Sequence, residues 1–299
     1  VDGVRAREAD GGGTPLTTQG DIQDFWQAHP CGAELVGDLN DETRDEYASF
    51  FDRYDEYRYS KEPHILKNLD RIDWRGKRVL EIGLGQGADA EQIVRRGGNY
   101  SGIDLTDESV KRVKMRFALK GLEHDRIEQA SALELPFPDN SFDIVYSHGV
   151  LHHIPEIKRA QSEIARVLKP TGQLIAMLYA KWSLNYLLPI SIVRRLGLAG
   201  LYLTGVRPGG IYDDHLANAR EVGLARYLSM KNFVHVSTDG PFNPYSKVYG
   251  RKEVEQDFPD FEIVETHKEF MHAPPLPVAG LPLAGTLGWH LWVTMRPRA

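Results

Sequence analysis

The sequence predicts an α/β protein with a doubly wound, mainly parallel sheet covered by helices. Three observations carry this expectation. Short apolar runs alternate with amphipathic stretches between residues 78 and 179. A glycine-rich turn, Gly83-Leu84-Gly85-Gln86-Gly87, follows the first of these runs directly. The second run ends in a carboxylate, Asp104. Alternating strand-like and helix-like segments build parallel sheets with helices on their faces. A strand, a glycine turn, a helix and a second strand tipped by an acid suit a nucleoside-bearing ligand. Glycine lets the backbone approach it closely, and the acid accepts hydrogen bonds from ribose hydroxyls.

Taken in order, residues 1–20 are polar, include Gly11, Gly12 and Gly13, and read as a disordered tail. Residues 21–72 read as an N-terminal helical segment; the series Tyr47, Phe50, Phe51, Tyr54, Tyr57 and Tyr59 is mostly packing at helical spacing. Residues 73–180 form the α/β core, with strands expected at 78–83, 100–104, 126–130, 142–147 and 173–179. Helices are expected at 88–96, from Thr106 to 119 with Asp107 and Glu108 in the first turn, and at 155–168. Pro170-Thr171-Gly172 reads as a turn. Residues 181–245 are aromatic, proline-containing and irregular, and sit where an inserted cap would sit. Residues 246–299 return to the core, with a helix at 251–258 and strands at 261–268 and 289–295.

Composition narrows the function classes. The chain has 299 residues, 41% of them apolar, and a net charge of −6 from 36 basic and 42 acidic residues. That balance argues against a polynucleotide partner. The single cysteine, Cys31, excludes an internal disulfide, and no Cys/His spacing suits zinc, so no metal is expected. A cytoplasmic location fits this cysteine usage and the absence of an apolar leader run in residues 1–20. Residues 273–295 carry no charged Lys, Arg, Asp or Glu before Arg296, but Pro274, Pro275, Pro277 and Pro282 make them a buried loop followed by a strand. Residues 184–203 are apolar, yet Pro189 and Arg194-Arg195 interrupt them. They read as lying on a membrane or over a pocket, without stable insertion.

More specific signals lie downstream of the glycine turn. They are Gln129-Ala130-Ser131-Ala132-Leu133, then Leu135-Pro136-Phe137-Pro138, then Phe142-Asp143-Ile144-Val145-Tyr146-Ser147-His148 and Leu151-His152-His153. With the turn and Asp104, this set resembles the class I S-adenosylmethionine-dependent methyltransferases, in particular the quinone-type and small-molecule subgroup. The resemblance covers residues 70 to 180 and, more loosely, the C-terminal strands. It implies a seven-stranded sheet in the order 3-2-1-4-5-7-6. It implies S-adenosylmethionine as cofactor and S-adenosylhomocysteine as product. Glu81 and Gly83 would lie near the methionine part, with Gly85, Gln86 and Gly87 in the turn beneath. Asp104 would hold the ribose, Leu105 would pack on adenine, and Ala132 and Leu133 would flank its other face. His148 would follow the fourth strand near the reacting methyl. Tyr59, before Glu62-Pro63-His64, would close over the cofactor. One departure is Ser131, where relatives often carry an aspartate that accepts from the adenine amino group.

The chemistry implied is an in-line displacement at an already activated methyl, so alignment and exclusion of water dominate. A phenol, enol or acid acceptor calls for a base. His148 and His152 are the catalytic candidates; His152 serves equally as packing at a helix start. Tyr179, Trp182, Tyr186 and Phe242 are the substrate-side candidates in the cap. The cap composition also suits self-packing or an interface between copies of the chain. The expected function is methyl transfer to a small, largely apolar metabolite (a secondary-metabolite, quinone-like or isoprenoid intermediate), at oxygen or carbon rather than nitrogen. The alternatives are a non-catalytic cofactor-binding subunit and a sulfonium-assisted cyclase or decarboxylase on the same fold.

Overall fold

The computed structural model describes residues 17–30, 32 and 43–298. The expected tail at 1–16, Cys31 and residues 33–42 of the N-terminal segment lie outside the described residues. Three helices lead in: α1 (Gln19–Ala28), α2 (Arg44–Lys61) and α3 (His64–Asp70). The core then runs β1 (Arg78–Ile82), α4 (Ala88–Arg95), β2 (Asn99–Asp104), α5 (Asp107–Lys120), β3 (Arg126–Gln129), β4 (Phe142–His148), α6 (Ile157–Val167) and β5 (Leu168–Tyr179). Next comes a helical cap. A wide-turned helix (Tyr186–Val193) continues into α7 (Arg194–Thr204), then α8 (Ile211–Val222), α9 (Leu224–Tyr227) and α10 (Met230–Thr238). The chain closes with α11 (Arg251–Asp257), β6 (Phe261–Glu269), α12 (Ala284–Leu287) and β7 (His290–Pro297).

The seven strands form one sheet in the order β3-β2-β1-β4-β5-β7-β6. β7 pairs antiparallel with both β5 and β6; the other neighbours are parallel. Strand alternation explains why both faces bury. On β1, Leu80 and Ile82 join the layer beneath α6 and α11, whereas Val79 joins Trp74, Ile93 and Val113 on the opposite face. The chain moves outward from β1 through β2 to β3, then reverses to β4. The carboxyl ends of β1 and β4 therefore flank the switch in strand order, the usual ligand crevice of an open α/β sheet.

The aromatic series on α2 packs as its spacing implies. Tyr47, Phe50 and Phe51 are fully buried against Met115 and Leu119 of α5. Beside them the buried Arg116 guanidinium pairs with Glu91 at 2.8 Å and with Asp55, tying α2 and α4 to α5.

Four sequence expectations need correction. The last residues of the presumed tail are structured: Thr18 caps α1, its hydroxyl accepting from the Asp21 amide while the Asp21 carboxylate accepts from the Thr18 amide. The presumed turn at 170–172 lies within β5, because the strand begins at Leu168 beside Phe142 before the pairing register shifts. The cap is helical rather than irregular. Pro189 does not stop its first helix, because the turn there widens and the missing amide hydrogen is not required. The continuous helix Tyr186–Thr204 is long and apolar enough to cross a membrane by length and composition, and 17% of it is buried. It rests on the cap core through Ile190 and Leu198 and leaves Leu196 and Leu203 exposed. Finally, much of the loop at 273–288 is exposed rather than buried, Leu281 and Leu283 included. Proline-rich backbone meets its few hydrogen-bonding needs in solvent.

Candidate functional site

The turn after β1 sets two glycines at positive φ, each for a different reason. At Gly83, φ is +83° and an added Cβ would stand 2.2 Å from Val150 Cγ2. The glycine turn is thus seated directly on the segment after β4. At Gly85, φ is +50°, and an added Cβ would meet nothing within 4 Å. That empty side belongs to a cavity bounded by Glu81, Gly83, Gly85, Gln86, Asp104, Leu105, Ser131, Ala132, Leu133 and His148. These are ten of the residues expected at the cofactor, and the switch in strand order brings them together.

Asp104 does more than face the cavity. Its carboxylate accepts from the Leu84 amide at 2.7 Å, and from the Thr106 amide and hydroxyl at 2.9 and 2.7 Å. Burial raises its pKa, and these hydrogen bonds work against that rise. The same acid therefore braces the glycine turn and caps the entry to α5. Asp104→Ala is expected to weaken S-adenosylmethionine binding by about 1–3 kcal/mol and to lower Tm as well, since two backbone amides lose their acceptor. Calorimetry and a melt measured together check both effects. Glu81 sits at the floor, 2% exposed, and accepts from Tyr100 Oη at 2.5 Å. Burial first, then the Asp89 carboxylate, raises its pKa well above the ordinary value.

Ser131 uses its hydroxyl locally. It donates to Gln19 Oε1 at 2.9 Å and accepts from the Leu133 amide at 3.0 Å. Through this contact α1 lies across the cavity, with Gln19, Ile22 and Trp26 in its wall. Trp26 also meets His153 edge-on, with ring centroids 5.1 Å apart. Tyr54 and Arg58 of α2 complete that side.

Other expected site residues lie elsewhere. Gly87 is outside the cavity wall; it starts α4 in the left-handed conformation, against Val113 and Arg116. Tyr59 is partly buried beside the sheet layer under α3 to α5; Arg58, its neighbour in the chain, and Tyr54 reach the cavity in its place. His152 is fully buried outside the wall, its ring centroid 3.9 Å from that of Tyr179. Tyr179 donates to Asp239 at 2.8 Å, Tyr186 packs in the cap core, and Trp182 and Phe242 are more than half exposed. α1, Tyr54 and Arg58 gave no sequence signal beyond amphipathic helix, because only the tertiary fold says which ligand a buried helix face meets.

His148 stands at the end of β4, its ring stacked 5.2 Å from Trp292. Arg58 Nη2 lies 2.7 Å from its Nδ1 and 3.0 Å from Asp89. Tyr146 donates to the same Asp89 carboxylate at 3.0 Å. Around this point the fold gathers histidines. His64 Nε2 is 3.0 Å from His290 Nδ1, and Glu62, His148 and His290 each place one potential ligand atom within 4.8 Å of the others. Burial holds His148, His152 and His290 well below the ordinary histidine pKa, and lowers His64 and His215 to about 4. These rings stay neutral in the folded chain and take up protons on unfolding. Their stabilising effect is complete above pH 6.5 and falls as pH drops toward 4. Each strongly buried ring contributes about 1.4 kcal/mol per pH unit in that window, so Tm is expected to fall steeply between neutral pH and pH 5, as a melt series would report.

Residues 80–176 match the methyltransferase domain family. A stretch of 104 residues is 38% identical to the fatty-acid O-methyltransferase of Mycolicibacterium smegmatis, over 34% of this chain and 37% of that protein. A stretch of 108 residues is 38% identical to the phthiotriol/phenolphthiotriol dimycocerosates methyltransferase of Mycobacterium tuberculosis, over 36% of this chain and 39% of that protein. The match thus spans little more than a third of the curated relatives' length. The crystal structure of an S-adenosylmethionine-dependent methyltransferase from Aquifex aeolicus aligns with TM-score 0.50 and 16% identity, over 86% of this chain and 99% of that one. Residues 80–176 thus carry the methyltransferase-domain match, and they lie within a sheet whose alignment gives the chain the fold of the solved methyltransferase.

Proposed function

We propose that the chain transfers a methyl group from S-adenosylmethionine to oxygen or carbon of a small, largely apolar metabolite, releasing S-adenosylhomocysteine. One observation carries the reading: the open side of Gly85 and the Asp104 carboxylate face one cavity, with Leu105, Ala132 and Leu133 also in its wall. A sugar hydroxyl can meet the acid, and a flat base can rest on apolar side chains. S-adenosylmethionine supplies a methyl carbon made electrophilic by its sulfonium. The chain's own contribution is to hold, orient and dry that group, with Glu81 and Gly83 toward the amino-acid part and His148 at the strand end.

Ile22, Trp26, Val150 and Ile154 support an apolar acceptor, since they stand together in the remaining wall, beside Arg58, Asp89 and Glu156. The two relatives act, by their names, on fatty acids and on phthiotriol/phenolphthiotriol dimycocerosates, and a lipid-like acceptor is proposed here on the likeness to the first. Calorimetry with S-adenosylmethionine, S-adenosylhomocysteine and a nicotinamide dinucleotide is the first test. Saturable binding of the first two alone is expected, and equal or tighter binding of the dinucleotide overturns the reading. Labelled-methyl transfer to a panel of hydroxylated apolar metabolites is the second test; cofactor binding with no transfer to any of them favours a non-catalytic subunit.

A further inference from the structure

Arg58 determines what His148 can do. A guanidinium stays protonated and has no lone pair to offer, so at 2.7 Å from His148 Nδ1 it can only donate. Nδ1 must accept, and the proton of the neutral ring then sits on Nε2. His148 Nε2 is buried and has no hydrogen-bond partner among the described residues. His148 lines the cofactor cavity and also belongs to the cluster with Glu62 and His290, neither of which lines that cavity. Two histidines and a carboxylate within 4.8 Å of one another could by type hold a divalent cation. The ring's lone pair, however, is already engaged by the Arg58 cation, which also repels a metal.

We propose that Arg58 is a positioning residue that holds His148 as its Nε2–H tautomer, so that the ring serves the site as a hydrogen-bond donor and not as a base. This rests on the methyltransferase reading. The groups facing His148 are Arg58, Asp89 (3.4 Å from the same Nδ1), Glu62, His64, Tyr146, His152, Trp292 and His290. Protonation of Nδ1 would set its new charge against Arg58.

The test begins with nitrogen-15 spectra of the histidine rings in the full chain with S-adenosylhomocysteine, His148 being assigned by loss of its signals in His148→Asn. A protonated Nε2 and a bare Nδ1, unchanged between pH 8 and pH 6, are expected; a protonated Nδ1 overturns the proposal. Arg58→Lys should keep that tautomer and Arg58→Met should release it, while an unchanged spectrum in Arg58→Met removes the positioning role. In turnover, the parent's pH–rate profile should carry no limb that His148→Asn removes; a limb lost in that variant makes the ring a base and overturns the proposal. A parent chain that neither binds nor uses S-adenosylmethionine defeats the methyltransferase reading instead, and the spectra still decide the tautomer.

Discussion

Gly85→Val is expected to abolish S-adenosylmethionine binding while leaving the sheet folded. The free side of Gly85 meets no protein atom within 4 Å, and that side is the cavity. A valine there would put its branched carbons where the ligand must lie. At φ +50° it would also strain the turn, by about 1–2 kcal/mol for a residue with a Cβ. That strain is small beside the stability of a domain, so far-UV circular dichroism should stay near that of the parent. Binding should fall by more than about 100-fold, the loss expected when bulky atoms occupy a cofactor's own space. Calorimetry decides: a variant that still binds with parental affinity places the ligand elsewhere. The contrast is Gly83, where the same substitution would drive a side chain into Val150 and damage the fold itself.

Arg116→Ala is expected to destabilise the chain by about 3–5 kcal/mol, the scale for removing one partner of a buried charge network. The Arg116 side chain is fully buried; it donates to Glu91 at 2.8 Å, to Asp55 and to the Gln86 carbonyl at 3.3 Å. Its guanidinium also stands 5.1 Å from the Phe51 ring centroid. Removing it leaves two part-buried carboxylates facing each other without a cation, and opens a void between α2 and α5. Burial already raises the Asp55 pKa, and the loss of its cation removes the main force holding it down. Chemical denaturation should show a lower midpoint with an unchanged slope. A variant within about 1 kcal/mol of the parent would mean that the network is solvated rather than buried.

Much of the core was legible in the sequence because its strands are short, apolar and bounded by turn residues. β1, β2, β4 and β7 begin and end within a residue or two of where Val79, Tyr100, Phe142 and Trp289 indicated. The helix after Thr106 was legible for a local reason, a hydroxyl cap that accepts from the Ser109 amide. Pro170-Thr171-Gly172 misled because the strand runs through them, although they fall in the register shift between Leu168 and Gln173 and have no partner on β4. Pro189 misled because helix propensity says nothing of a locally widened turn. For the site, the glycine turn and Asp104 are contiguous signals, set by one strand–turn–helix unit. Arg58, Glu62 and His290 come from α2, the residue after it, and β7. Their meeting at His148 is a property of the folded sheet, and no spacing in the chain encodes it.

The bond from Ser131 to Gln19 has a thermodynamic corollary. A short N-terminal rod is clamped to the same serine whose neighbours, Ala132 and Leu133, form the wall against which a purine would rest. Linkage makes any coupling between the two reciprocal: if seating the rod strengthens the grip on a nucleoside, an occupied chamber shields the rod from cleavage by the same factor.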